Sequence, residues 1–101
     1  MAQFDVYRNS TPATAEFFPY LLEVQHEILS SLKTRVVVPL GVDITPIRHL
    51  NPVFNIEGKS VVMSTADMAG IPLSACGEKV ESLEERRNEI IDALDFLING
   101  F

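Results

Sequence analysis

A mainly β fold, an antiparallel sheet carrying one C-terminal helix, is predicted by three observations on the 101-residue chain. Short runs of β-branched and aromatic residues recur along most of its length. Clusters of Gly, Pro, Asn and Asp separate them. Apolar residues at three- and four-residue spacing appear clearly only in the last segment.

The elements follow in order. Gln3 to Tyr7 alternates with Phe4 and Val6 on one face, the period of a half-buried strand. The polar, Pro-containing stretch Asn9 to Ala15 reads as a loop. Phe17 to Gln25 reads as a second strand, which Pro19 assigns to an edge or a bulge. His26 to Lys33 is compatible with a helical turn or with a continued strand. Arg35 to Leu40 contains three consecutive valines, whose stiff side chains suit a pleated sheet, and Pro39 predicts an interruption near its end.

Gly41 to Pro52 holds Gly, Asp, Asn and two prolines and is the main irregular connection. Val53 to Ile56 and Ser60 to Thr65 flank Glu57, Gly58 and Lys59, the pattern of a hairpin with a Gly-assisted turn. Pro72 to Cys76 supplies one more short strand. Ser82 followed by Glu85 is a capping-box pair. Beyond it Leu83, Arg87, Ile90, Ile91, Leu94, Leu97 and Ile98 mark one face of a helix from Leu83 to Ile98, which Gly100 is placed to end in a left-handed conformation.

Length and composition bound the function. The chain suits one domain spanning residues 1–101, and apolar residues at 47% with charged residues at 22% are ordinary globular usage. No apolar run approaches the roughly 20 residues that span a bilayer, so no membrane association is expected. Met1 to Tyr7 lacks the basic start and apolar stretch of a secretory signal, which points to the cytoplasm. Cys76 is the only cysteine, which excludes an intramolecular disulfide and reads as a small buried apolar residue. The 14 acidic and 8 basic residues give a formal net charge of -6, and the basic residues are scattered, so no direct nucleic-acid binding is expected.

Catalytic readings find little support. His26 and His49 are the only imidazoles and neither lies in a catalytic or metal-ligand motif. The five glycines are isolated, so no phosphate loop is present. A protein that is not an enzyme, with neither metal nor cofactor, is the resulting expectation.

The last helix departs from the usual rules. Cations favour helix C-termini, yet no Lys or Arg follows Arg87, while Glu89, Asp92 and Asp95 gather there. Phe96 projects away from the apolar stripe and would be exposed in a monomer. Acidic charge, Gly100 and the terminal Phe101 together suggest a docking tip for a cationic protein partner.

From Tyr20 onward, short signatures occur in a telling order. They are Val24 and Gln25; Val38, Pro39 and Leu40; Thr65, Asp67, Met68, Ala69 and Pro72; Gly77, Glu78 and Val80; then Arg86, Asn88, Ile90, Ala93 and Gly100. In that order they resemble the CcdB family of toxins from toxin–antitoxin modules. Two connections depart from the family pattern, a longer loop around Asn9 to Ala15 and a shorter one within Gly41 to Asn51. Both fall where length changes are tolerated.

The resemblance implies an SH3-like barrel of the type shared by CcdB and MazF toxins, and a homodimer with its C-terminal helices near the axis. It implies binding to the DNA gyrase A subunit, which traps the cleaved DNA complex and inhibits the topoisomerase. It further implies neutralisation by a CcdA-like antitoxin, repression of their own operon by the pair, and a role of the kind seen in plasmid maintenance. Carried over residue by residue, the gyrase-binding set is His26, Ile28, Leu29, Asp95, Ile98, Asn99, Gly100 and Phe101. Where the best-known member has a Trp that stacks on a gyrase arginine, this chain has Asn99, which can accept a hydrogen bond but cannot stack. The rival readings are an endoribonuclease toxin of the MazF-like fold, which needs a basic groove with an acid/base pair, and a non-toxic homologue that only binds antitoxin. The loops Asn9 to Ala15 and Gly41 to Asn51 are the expected antitoxin contacts.

Overall fold

A computed structural model describes residues 2–100. Phe101 lies outside the described residues. Seven strands form one antiparallel sheet: β1 (Asp5–Asn9), β2 (Tyr20–Glu23), β3 (Thr34–Gly41), β4 (Val53–Ile56), β5 (Lys59–Met63), β6 (Ala69–Pro72) and β7 (Cys76–Ser82). A one-turn helix α1 (Pro12–Ala15) sits in the first loop, and the chain closes with helix α2 (Arg87–Asn99). Along the sheet the order is β4-β5-β3-β2-β1-β7, with β6 also paired to β3.

Period-two alternation decides what faces inward. Val6, Tyr20, Leu22, Val38, Leu40, Phe54, Ile56, Val61 and Met63 are buried together with Phe4, Leu83, Ile90 and Ala93, so the core lies between one face of the curled sheet and α2. Phe4 stands outside β1 at φ 71. Its N–H donates to the Glu23 carbonyl at 2.7 Å and its carbonyl accepts from Leu83 at 2.8 Å, which fastens the chain start to both β2 and the lead-in to α2. The opposite face is not left to solvent. Asp5, Tyr7, Leu21, Glu23, Arg35 and Val37 are buried there.

Both prolines of the long strands are accommodated by placement. Pro19 comes immediately before β2, which lies between β1 and β3 and is not an edge strand, so no ladder N–H is lost. Pro39 lies within β3 and does not interrupt it. On one side β3 pairs β2 from Val37 to Leu40; on the other it pairs β6 from Thr34 to Val37 and β5 at Leu40 and Gly41. Pro39 falls at the fork between β6 and β5, where its carbonyl accepts from Ser64 at 2.9 Å and its missing N–H faces the gap.

The β4–β5 hairpin turns on Glu57 and Gly58, both with positive φ (52 and 80), so a two-residue turn replaces the three-residue connection that the sequence suggests. At its tip Glu57 receives both arms of the Arg8 guanidinium at 2.9 and 2.6 Å and the Tyr20 hydroxyl at 2.6 Å. Arg8 also reaches Glu78 of β7 at 2.9 Å. The curl of the sheet is thereby tied across from the hairpin to β1 and β7.

Two local readings are corrected. The segment expected as a strand from Pro72 to Cys76 is a 3-10 turn, Leu73–Ala75, between β6 and β7. Ser82 ends β7 and does not cap α2: its hydroxyl accepts from the Glu84 N–H at 3.2 Å, and a 3-10 turn Glu84–Arg86 intervenes. Arg86 and Arg87 lie over the rings of Phe54 and Phe4 at 4.8 and 5.6 Å, pinning the start of α2 to the core.

Candidate docking surface

The segment between β2 and β3 resolves into a 3-10 turn, Glu27–Leu29. His26 precedes it in extended conformation, and its Nδ1 accepts the Ile28 N–H at 3.0 Å, so the imidazole acts as the cap of the turn. Ile28 is consequently thrust outward at 81% exposure, with Leu29 exposed beside it. Leu32 and Leu73 are exposed as well, and the Leu73 N–H donates to the Lys33 carbonyl at 3.3 Å, bringing the 3-10 turn after β6 alongside.

Two buried polar side chains support this turn from below. Gln25 donates its amide to the Leu29 carbonyl and accepts the Val36 N–H, each at 3.1 Å. Arg35 donates to the carbonyls of Leu32 (2.6 Å), Thr34 (2.9 Å) and Ser30 (2.9 Å). Its natural counter-ion, Glu23, lies 3.5 Å away, and both residues are almost fully buried, at 5% and 2% exposure. Yet among the described residues Arg35 Nε and Glu23 Oε1 have no hydrogen-bond partner. Burial therefore pushes the Glu23 carboxyl above the usual carboxylate range despite the nearby guanidinium.

The second group stands at the end of α2. Gly100 adopts the left-handed conformation (φ 78) and its N–H returns to the Phe96 carbonyl at 2.8 Å, the helix stop that the sequence predicts. Asp95, Ile98, Asn99 and Gly100 are exposed, Ile98 at 74%. No basic residue occupies the last turn. Glu89 is paired with Arg86, whereas Asp92 and Asp95 form no ion pair among the described residues.

Phe96 is not the exposed aromatic that helical phase alone suggests. It is half-buried, its ring 5.9 Å from that of His49. The sequence cannot reveal this partner, because His49 comes from the irregular connection and holds a left-handed φ of 70. An open groove of about 700 Å³ separates the two segments, with His49, Asn51 and Pro52 on one wall and Asp92, Asp95 and Phe96 on the other.

The eight sequence-selected residues thus divide into His26, Ile28 and Leu29 on the turn, Asp95, Ile98, Asn99 and Gly100 on the helix tip, and Phe101 beyond the described residues. No hydrogen bond or ion pair joins turn to tip among the described residues. Sequence reading missed Leu32 and Leu73 as neighbours of the turn and Gln25 and Arg35 as its supports. The available signal was a Gln and an Arg closing and opening two β runs around an unassigned segment.

Chemically the two groups offer aliphatic area at Ile28, Leu29 and Ile98 and carboxylates at Asp92 and Asp95. Among the described residues no group of three His, Cys, Asp or Glu is placed to hold a metal ion. His26 caps its turn and His49 faces Phe96, so the two imidazoles serve separate elements. Cys76 is half-buried, and burial raises its thiol above the ordinary value, away from nucleophilic character. Of the eight basic residues, Arg8, Arg35, Lys79, Arg86 and Arg87 are in ion pairs, which leaves few cations for a phosphate-binding groove. No helix of the described residues is long and apolar enough to cross a membrane.

A sequence model of the family described as "CcdB protein" matches residues 3–100. Among solved structures, one described as an endoribonuclease in complex with its cognate antitoxin, from a mycobacterial species, has a similar fold. The TM-score is 0.79 with 16% sequence identity over 97% of this chain and 94% of the other.

Proposed function

The chain belongs to the CcdB family, and from that premise we propose that this toxin of a toxin–antitoxin module acts in the cytoplasm by poisoning DNA gyrase. It docks on the gyrase A subunit with the turn His26, Ile28 and Leu29 and with the helix tip Asp95, Ile98, Asn99 and Gly100, to which Phe101 is added. One observation carries the reading: Ile28 and Ile98, at 81% and 74%, are the two most exposed large apolar side chains among the described residues, and both fall in that set. Leaving each in water forgoes roughly 1.5–3 kcal/mol of burial, which a partner surface recovers.

The chemistry of each group fits a protein ligand. Aliphatic side chains on the turn supply apolar area, and Asp95, with no cation in its own turn, supplies charge for a basic residue of gyrase. Holding the A subunit while DNA is cleaved traps that complex and blocks the topoisomerase without any reaction on the toxin itself. In this reading the chain works as a homodimer, is neutralised by a CcdA-like antitoxin and represses its operon together with it. The structural neighbour named an endoribonuclease shares the fold at 16% identity. Its activity is not carried over, because the ion-paired arginines and separated histidines leave no basic groove with an acid/base pair.

The test is inhibition of gyrase supercoiling by purified protein. Inhibition that weakens strongly with Ile28→Ala and with Ile98→Ala supports the proposal. Absence of inhibition together with cleavage of a messenger RNA substrate overturns it in favour of the endoribonuclease reading. Antitoxin binding with neither activity favours the non-toxic homologue.

A further inference from the structure

We infer that Gln25 and Arg35 are positioning residues for the docking turn: buried side chains that hold Ile28 and Leu29 in the conformation that the partner meets. The inference rests on the gyrase reading and assigns these two residues a role that the docking set does not include.

Hydrogen-bond geometry carries the argument. A buried arginine beside a carboxylate ordinarily turns its planar fork toward it in a bidentate pair. Arg35 does not. Its two terminal nitrogens go to the carbonyls of Ser30, Leu32 and Thr34, and Nε, the nitrogen nearest Glu23, makes no hydrogen bond among the described residues. Among the described residues Glu23 Oε1 stays without a partner. Stability alone favours the opposite arrangement, since a half-satisfied buried pair is poorer than a fully bonded one. Gln25 completes the hold by tying the Leu29 carbonyl to the N–H of Val36 on β3.

Together the two side chains bond four carbonyls between Leu29 and Thr34, while His26 bonds the amide of Ile28 from the other side. The ten-residue connection between β2 and β3 has thus become a braced projection of the sheet, and its apolar tip extends into water. Such preorganisation removes the ordering penalty at docking.

Arg35→Lys keeps the charge beside Glu23 and removes the fork, and Gln25→Met removes the amide at nearly constant volume. In both variants, amide hydrogen exchange at Leu29 to Leu32 is expected to rise at least tenfold while exchange in β4 and β5 is unchanged. Affinity for the gyrase A subunit is expected to fall about tenfold. In a double-mutant cycle, Arg35→Lys is expected to couple to Ile28→Ala and to add independently to Asp95→Asn. A merely structural role predicts equal coupling to both partners. Unchanged exchange in the turn, unchanged gyrase affinity, or equal coupling overturns the inference. If the parent chain binds no gyrase, the function reading fails by itself, and the exchange measurement still decides whether the two residues hold the turn.

Discussion

Arg8 and Glu57, 49 residues apart in sequence, meet fork to fork across the curl of the sheet, with both carboxylate oxygens of Glu57 accepting from the guanidinium. Glu57 occupies a left-handed turn position where glycine or asparagine is the commoner choice, and Tyr20 donates to the same carboxylate. Hydrogen bonds from Arg8 first, then from Tyr20, hold the Glu57 carboxyl below its ordinary value of 4.5.

A group whose folded pKa is depressed contributes stability above its unfolded value and loses it as pH falls through the folded one. Melting temperatures of the parent and Glu57→Gln are therefore expected to differ by a constant amount from neutral pH down to about 4.5, and to converge below it. Curves that stay parallel into strong acid would show that this tie does not depend on the charge of Glu57.

The Glu23 carboxyl behaves with the opposite sign, because desolvation raises it. Its contribution is most favourable below the unfolded value and is lost as pH rises through the folded one. Removing its counter-charge with Arg35→Met is expected to destabilise the fold by about 3 kcal/mol at neutral pH. Acidification relieves part of that loss. Glu23→Gln, which leaves the three carbonyl bonds of Arg35 intact, is expected to be much milder. Urea unfolding at pH 5 and pH 8 distinguishes the two variants.

Two isoleucines of α2, Ile90 and Ile98, separate stability from docking. Ile90 is inaccessible within the core, and Ile90→Ala is expected to cost about 3 kcal/mol, lowering the melting temperature by roughly 12–24 °C. Ile98→Ala is expected to change stability by less than about 0.5 kcal/mol, with weakened gyrase inhibition. A large loss of stability in Ile98→Ala would place that residue in the fold and not on the docking surface.

Asn99 ends α2 on the exposed tip. Replacing it with Trp introduces a ring able to stack on a cationic partner, an interaction of about 0.5–2 kcal/mol, so up to a thirtyfold gain in potency is expected at about 1.4 kcal/mol per decade. Titration of supercoiling inhibition by the parent and Asn99→Trp measures it. An unchanged or lowered potency would mean that the tip does not meet a cation there.

The parts of the fold legible in the sequence are those fixed by local chemistry. Gly58 in its turn, the run of valines in β3 and the three-to-four spacing through Ile90 and Leu94 each determine structure within a few residues, and the hairpin, long strand and final helix are present, with a shorter turn, no break at Pro39 and a helix that starts at Arg87. Features set by distant partners were not legible. Pro39 is harmless only because two other strands divide the edge that it faces, and Phe96 is half-covered only because His49 arrives from the irregular connection. Ser82 and Glu85 carry a capping pattern, but pairing of Asp5 with Ser82 keeps that residue in the sheet and delays the helix. For the docking surface, the exposed residues came from family resemblance. The buried Gln25 and Arg35 beneath them required three-dimensional placement, since nothing local tells a polar residue at a strand end which way it will turn.

The division of the β3 edge at Pro39 reaches beyond strand pairing. One residue without an amide proton marks a seam, so the sheet forks there into two leaves along a single spine, β3. The leaf with β6 adjoins Arg35 and the turn it braces, and the leaf with β5 carries the hairpin that packs on α2. A disturbance confined to the first leaf is therefore expected to loosen the proposed docking turn while the second keeps the core packed.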